Sequence, residues 1–296
     1  MNIGSGGITA SAGEVQVKFN TNDQDAFLNL AGDVTTTGNL AFTNANYPGG
    51  NQNIINLSGN RIFDIGNGTT TTVSPDLSSA AGNLTKAGGG TLTLNAPCAA
   101  NISGGTTVAA GSLLVNGTLA GSVQVGAAGT LGGSGTLSGT TNVDGTVSPG
   151  AAIGKLTTAG LTLAPGSDLV IGVGNWAGTT AGTDWDQLDA ASLAITATTG
   201  NPLVIHVTGS PTGFSETSKT IAVATSTAPI TGFNLAAIQI DSTGFTGTGT
   251  WAAQLNGNSI ELVYTAGVGS AYDSWASGKG LNGSNNGKSA DPDNDG

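Results

Sequence analysis

Leu84-Thr-Lys-Ala-Gly-Gly-Gly-Thr-Leu-Thr-Leu-Asn95, followed after a short loop by Gly104-Gly-Thr-Thr-Val-Ala-Ala-Gly-Ser-Leu-Leu-Val-Asn-Gly117, is the stretch that decides the fold. Within it, Thr91-Leu-Thr-Leu94 alternates polar and apolar side chains at period two, the pattern of a strand with one buried face. The same alternation extends outward through Ser122-Val-Gln-Val125, Leu161-Thr-Leu163, Asp168-Leu-Val-Ile-Gly-Val173, Ser192-Leu-Ala-Ile195 and Ile260-Glu-Leu-Val-Tyr264. Gly, Asn or Pro closes each run, which marks a turn. Almost every window of eleven residues also holds Gly, Pro or several Thr, and each of these weakens a helix interior. The class is all-β.

Composition selects among β architectures. Gly takes 50 of 296 positions, more than double the usual ~7%, while aromatic residues supply only 5%. A face-packed sandwich needs longer strands and bulky side chains to fill a core about 10 Å thick. A chain wound into a narrow coil needs only a few inward Leu, Val or Ile per turn, because stacked turns bury them continuously. Gly and Asn then serve the corners. Internal similarity agrees with a coil. Gly-Thr-Leu begins at Gly90, Gly117, Gly129 and Gly135, with Gly-Ser-Leu at Gly111 and Gly-Thr-Val at Gly145, at irregular spacing. Gly82-Asn-Leu-Thr-Lys-Ala-Gly88 and Gly154-Lys-Leu-Thr-Thr-Ala-Gly160 agree at five of seven positions.

The two stretches quoted first resemble one full autotransporter-associated β-strand repeat. That signature is a Lys-x-Gly-x-Gly-Thr-Leu-x-Leu opening, a loop, then Gly-Gly-Thr-x-Val and Gly-x-Leu-x-Val. Here Ala87 follows Lys86, and Pro97-Cys-Ala-Ala100 replaces the usual loop. Asn56–Ile65 upstream, and Ser148-Pro-Gly150, Leu163-Ala-Pro-Gly166 and Asp184-Trp-Asp-Gln-Leu188 downstream, are similar to segments flanking such repeats. The resemblance implies a right-handed parallel β-helix, a solenoid, with coils of about twenty residues. About twelve coils would make a rod of about 60 Å at ~4.8 Å per layer. It also implies an extracellular or cell-surface location.

Residues 51–266 are therefore expected to form the β-helix, with one clear repeat at about 84–117. Residues 1–50 are expected to be an N-terminal β segment of no assigned pattern. From about residue 267 the alternation stops and Gly, Ser and Asn dominate, as in a flexible tail. With Tyr272-Asp-Ser-Trp275 at its start, this tail resembles the segment before C-terminal sorting signals in large repeat proteins of environmental bacteria. There the acidic run continues, so the chain is expected to be cut after Gly296. No signal peptide is visible at Met1–Ala10. Asp291, Asp293 and Asp295, with Gly296 behind them, have the spacing of the first half of a calcium loop. The second half lies beyond the chain, so calcium is the one cofactor the sequence suggests.

Seven Lys or Arg against eighteen Asp or Glu give a net charge of −11, with no basic patch for nucleic acid. No apolar run approaches the ~18–20 residues of a membrane-spanning helix. A lone Cys98 forms no internal disulfide and reads as a small apolar residue. Asp184, Asp186 and Asp189 form an acidic cluster, expected to be structural, with Trp185 and Leu188 inward and the acids in solvent. His206 is the only His and has no nucleophile beside it in sequence. Arg61, the only Arg, has no acidic triad near it, as a pectate-lyase-like enzyme would require. Trp176, Trp185, Trp251 and Trp275 are too dispersed in sequence for a sugar-binding stripe. The function expected is a non-enzymatic stalk or passenger module of a surface protein with a surface or glycan ligand. The alternatives are a polysaccharide-acting β-helix enzyme and a calcium-dependent glycan-binding module.

Overall fold

None of the short alternating runs can bury its apolar face alone, and stacking on neighbours of the same kind is what makes each one stable. The computed structural model describes residues 1–11, 13–19, 25–44 and 53–267. Apart from a 3-10 turn at Leu235–Ala237, the described elements are strands. Each coil lays one strand on each of three faces, and successive coils pair in parallel. The first face stacks Asn2–Ile3, Ala26–Leu30, Asn53–Leu57, Asp76–Ser79 and Ala99–Ile102. The second stacks Ile8–Ala10, Val34–Thr36, Arg61–Ile65 and Leu84–Ala87. On the third lie Glu14–Phe19, Asn39–Asn44, Thr70–Val73 and Thr91–Leu94.

Further along, strands such as Thr106–Val115 and Thr136–Val143 turn a corner without ending, with a register shift at the bend. The third face runs on to Leu203–Gly209 and Ile238–Phe245. The chain is thus a parallel β-helix. Its longest ladder holds ten strands rather than twelve, so the stack is about 45 Å long at ~4.8 Å per strand. The reason is unequal coil length. Equivalent corners are 18 residues apart between Asn116 and Ser134, but 29 between Asp33 and Ile62 and 32 between Gly154 and Asp186.

Register also explains the irregular Gly-Thr-Leu spacing: the tripeptide serves two different corners. Thr91, Ser112, Thr130 and Thr146 stack at the start of the third face, with Leu92, Leu113, Leu131 and Val147 inward beside them. Thr118 and Thr136, with Leu119 and Leu137, form a separate stack on the first face. The two similar heptads do not superpose, since Leu84 lies on the second face and Leu156 pairs with Leu188 on the first.

The inward Leu and Val of these stacks are fully buried. Each such side chain contributes about 1.5–3 kcal/mol relative to exposure. Thr also enters the interior. Leu84, Thr106, Val123, Thr141 and Leu161 stand in one inward column of the second face. The hydroxyls of Thr106 and Thr141 have no hydrogen-bond partner among the described residues.

At the C-terminal end the parallel rule breaks. Ser259–Thr265 pairs antiparallel with both Lys219–Ser226 and Thr250–Asn256, forming a hairpin cap. Beneath it, Trp176, Phe214, Phe245, Trp251 and Tyr264 pack ring to ring at centroid distances of 4.9 to 6.2 Å. Five of the fourteen aromatics thus meet where the lumen is closed, while Phe19, Phe42 and Phe63 are buried in the first coils.

Candidate functional site

In the C-terminal half of the rod each charged side chain is held by a local structural partner. Asp184 and Asp186 do not lie in solvent as the sequence suggested; both are buried. Asp186 accepts from the main-chain N–H of Gly154 (2.8 Å) and of Gly172 (2.7 Å). Burial pushes its carboxyl up to about 7, and the two amides oppose that shift. Asp184 accepts from the Thr180 N–H and from Asn175 Nδ2, both at 2.8 Å. The Thr180 amide, then Asn175, holds its carboxyl below the usual range. Asp189 pairs with Lys155 at 3.1 Å and accepts from Thr225 Oγ1 at 3.0 Å. The cluster is thus divided among three sets of partners. Trp185 and Leu188 are buried, as the resemblance implied.

Lys219 lies against the same region. Its Nζ donates to the carbonyls of Trp176 (2.6 Å) and Gly178 (2.7 Å) and sits 5.2 Å from the Trp185 ring centroid. Desolvation lowers its pKa, and the Asp184 charge offsets part of that effect.

His206 is half-buried on the outer side of Leu203–Gly209. Its Nε2 lies 3.2 Å from Asp168 Oδ1 and its Nδ1 lies 3.0 Å from Asp241 Oδ2. The three side chains come from three successive coils, so the ring bridges them. Two hydrogen bonds from Thr243, with His206 third, hold the Asp241 carboxyl below its usual range.

Arg61 donates to the Ser58 carbonyl and lies 3.5 Å from Asp33. Cys98 is fully buried, and desolvation first, then Asp76, pushes its thiol up to about 12, the opposite of an activated nucleophile. Trp176 and Trp251, distant in sequence, are ring neighbours at 6.1 Å, but both are buried in the cap. Trp275, Asp291, Asp293 and Asp295 lie outside the described residues. Among the described residues there is no group of three or more His, Cys, Asp or Glu that could hold a metal ion.

Grooves follow the unequal coils. One of about 700 Å³ runs beside Thr140, Asn142, Thr162, Ser192 and Pro229 and carries no carboxylate. Another of about 350 Å³ carries only Asp189. A glycosidase needs two carboxylates facing one cleft, and neither groove supplies them.

Two sites escaped the sequence reading. Glu216 accepts from the Tyr264 hydroxyl at 2.5 Å and from the N–H and hydroxyl of Thr248 at 2.7 and 3.0 Å, clipping the Phe214–Thr217 loop to the cap. No local pattern marks it. Lys86 does leave a signal, because it shares the phase of inward Leu84. Fully buried, it donates through Nζ to the carbonyls of Ala87 and Gly88, both at 2.7 Å, and of Ala110 at 3.0 Å. Desolvation lowers its pKa to about 8, with Asp64 opposing. The corner fits around the ammonium. Gly111, at φ +66°, has no room for a Cβ, which would sit 2.4 Å from the Gly90 carbonyl and 2.8 Å from Lys86 Nζ. The Lys and its glycines are one device: backbone carbonyls at a tight bend, satisfied by a single amine.

This corner lies inside the segment that a family model matches. No curated protein matches the chain. A family model does match residues 84–115, the passenger-associated-transport-repeat. Leu84–Val115 spans the buried Lys86, the stacked Leu92 and Leu113, and the corner at Gly111, so the matched features are those that let one coil seat on the next. Residues 84–115 of this chain thus match the passenger-associated-transport-repeat and lie within a longer parallel β-helix.

Proposed function

We propose that the chain is a non-enzymatic passenger-type module, a rigid stalk of a secreted or cell-surface bacterial protein that projects adhesive regions toward a surface or glycan ligand. The observation that carries this reading is the repeat at residues 84–115 within a continuous stack of coils. The commitment of each candidate catalytic side chain to a structural partner supports it further. The net charge of −11 keeps neighbouring rods apart in solution.

Protease shaving of intact producing cells, followed by detection with an antiserum against this module, tests the location. Loss of signal from intact cells is expected, and a signal protected until lysis would overturn the reading. Incubation with a panel of acidic polysaccharides is expected to release neither reducing ends nor unsaturated sugars. Turnover abolished by one Asp substitution would replace the stalk with an enzyme. Asp291, Asp293 and Asp295 provide only half of a calcium loop, so calorimetric titration of this chain with calcium is expected to give no binding heat.

A further inference from the structure

The outer side of the second face is unusual in this acidic chain for carrying no charge over several coils. Between Asp76 and Asp144 the only charged residue is the buried Lys86. Thr107, Gln124, Asn142, Thr162 and Ala194 stand in register on five successive strands, with Thr140, Gly160 and Ser192 in a second row beside them. At ~4.8 Å per strand the longer row spans about 19 Å. A cavity of about 110 Å³ opens beside Thr107, Ser122 and Gln124, and the groove of about 700 Å³ beside Thr140, Thr162 and Ser192. Asn142 lines both, so the two form one trough along the rod. The side chains of Thr107, Ser122, Thr140, Asn142, Thr162 and Ser192 make no hydrogen bond to any described residue. Asparagines on the first face behave otherwise: Asn56 donates to Asn29 at 3.0 Å, and Asn29 to Asn2 at 2.7 Å.

We propose that this trough binds an uncharged polysaccharide strand laid along the rod. The proposal rests on the glycan-ligand reading above and gives that ligand a place and a class. Each sugar hydroxyl both donates and accepts, as Thr, Ser and Asn side chains do, and such groups recur from coil to coil along the trough. Ala194, Pro229 and the threonine methyls supply apolar surface for the C–H faces of the rings. A peptide is the poorer fit. The strands from Thr106–Val115 to Lys155–Leu163 have parallel neighbours on both sides, so no main-chain edge is open here for another strand to join. An acidic polysaccharide is disfavoured too, since no Lys or Arg lines either cavity and the net charge is −11. No aromatic ring lines the trough, so each sugar adds little and affinity accumulates with the number of coils engaged. With no carboxylate in either cavity, binding needs no calcium and leads to no hydrolysis.

Affinity electrophoresis of the full chain tests the proposal, in gels carrying arabinoxylan, glucomannan, hydroxyethyl cellulose or, as the acidic comparison, polygalacturonate. Retardation by at least one neutral polymer, unchanged by a calcium chelator, is expected, with none by polygalacturonate. Ser192→Arg fills the groove, and Asn142→Asp puts a charge where the cavities meet. Each is expected to raise the dissociation constant at least about fivefold. Asn101→Asp makes the same charge change at an exposed position of the first face and is expected to bind as the wild type does. Thermal midpoints by circular dichroism keep loss of folding apart from loss of binding. With soluble oligomers of the retarding polymer, affinity is expected to rise from disaccharide to hexasaccharide. Binding that survives both trough variants, or that N101D weakens equally, overturns the trough and leaves the glycan-ligand reading standing. Retardation by no polymer overturns both. Retardation by polygalacturonate alone, or binding lost to the chelator, overturns the neutral, calcium-free site.

Discussion

Lys86 shows how one residue can satisfy a bend that a neutral side chain cannot. Its ammonium supplies donors to three carbonyls in a place that disfavours its charge, so the amine is held at about 8 against an ordinary 10.5. Between those values the unfolded chain binds the extra proton, so stability is expected to rise with pH from about 8 to 10.5. Thermal midpoints across that window should show the slope in the wild type and lose it in Lys86→Met. That variant should also melt lower at pH 7, because the Ala87, Gly88 and Ala110 carbonyls lose their donor. Thr141 is the converse case, a buried hydroxyl with no partner among the described residues, stacked between Val123 and Leu161. Thr141→Val keeps the shape and removes the desolvated oxygen. It is expected to stabilise the chain by about 1 kcal/mol in urea denaturation, with the m-value unchanged.

Among the elements, the antiparallel cap differs most from the rest. A parallel ladder ends in unpaired groups and an open lumen; the hairpin of Thr250–Asn256 and Ser259–Thr265 pairs with the last first-face strand, and five aromatic rings fill the opening. Glu216 ties the preceding loop to that cap through Tyr264 and Thr248. The Tyr264 hydroxyl, then the Thr248 amide, holds the Glu216 carboxyl below its ordinary 4.5. Its contribution is therefore complete above pH 4.5 and is lost as pH falls through the lower folded value. In Glu216→Gln this acid-side loss is expected to flatten. The near-ultraviolet signal of the cap aromatics, followed from pH 6 downward in both proteins, reads it directly.

For the whole molecule, the energetics are those of a stack in which each coil touches only its neighbours. Among the described residues the first coil has one neighbour, while the coils around Val123–Gly133 have one on each side. Amide hydrogen exchange is expected to be fastest in Ile8–Ala10 and Glu14–Phe19 and slowest between Thr106 and Leu163. Uniform protection along the rod would contradict a nearest-neighbour stack.

Sequence alone determined the strands and the narrow coil, because these rest on period-two alternation and on glycines at corners, which are local properties; the parallel pairing and the repeat at about 84–117 followed from the resemblance of that stretch to a known repeat. It also marked Trp185 and Leu188 as inward. Tertiary structure alone decided which coil stacks on which, since irregular coil lengths allow the same Gly-Thr-Leu to serve two corners. It gathered Trp176, Phe214, Phe245, Trp251 and Tyr264 into one cap and buried Asp184 and Asp186 against main-chain amides. The cap rings and the Gly154 amide that meets Asp186 lie in other segments of the chain, and proximity across a coil is fixed by winding, a quantity that no window of neighbouring residues contains.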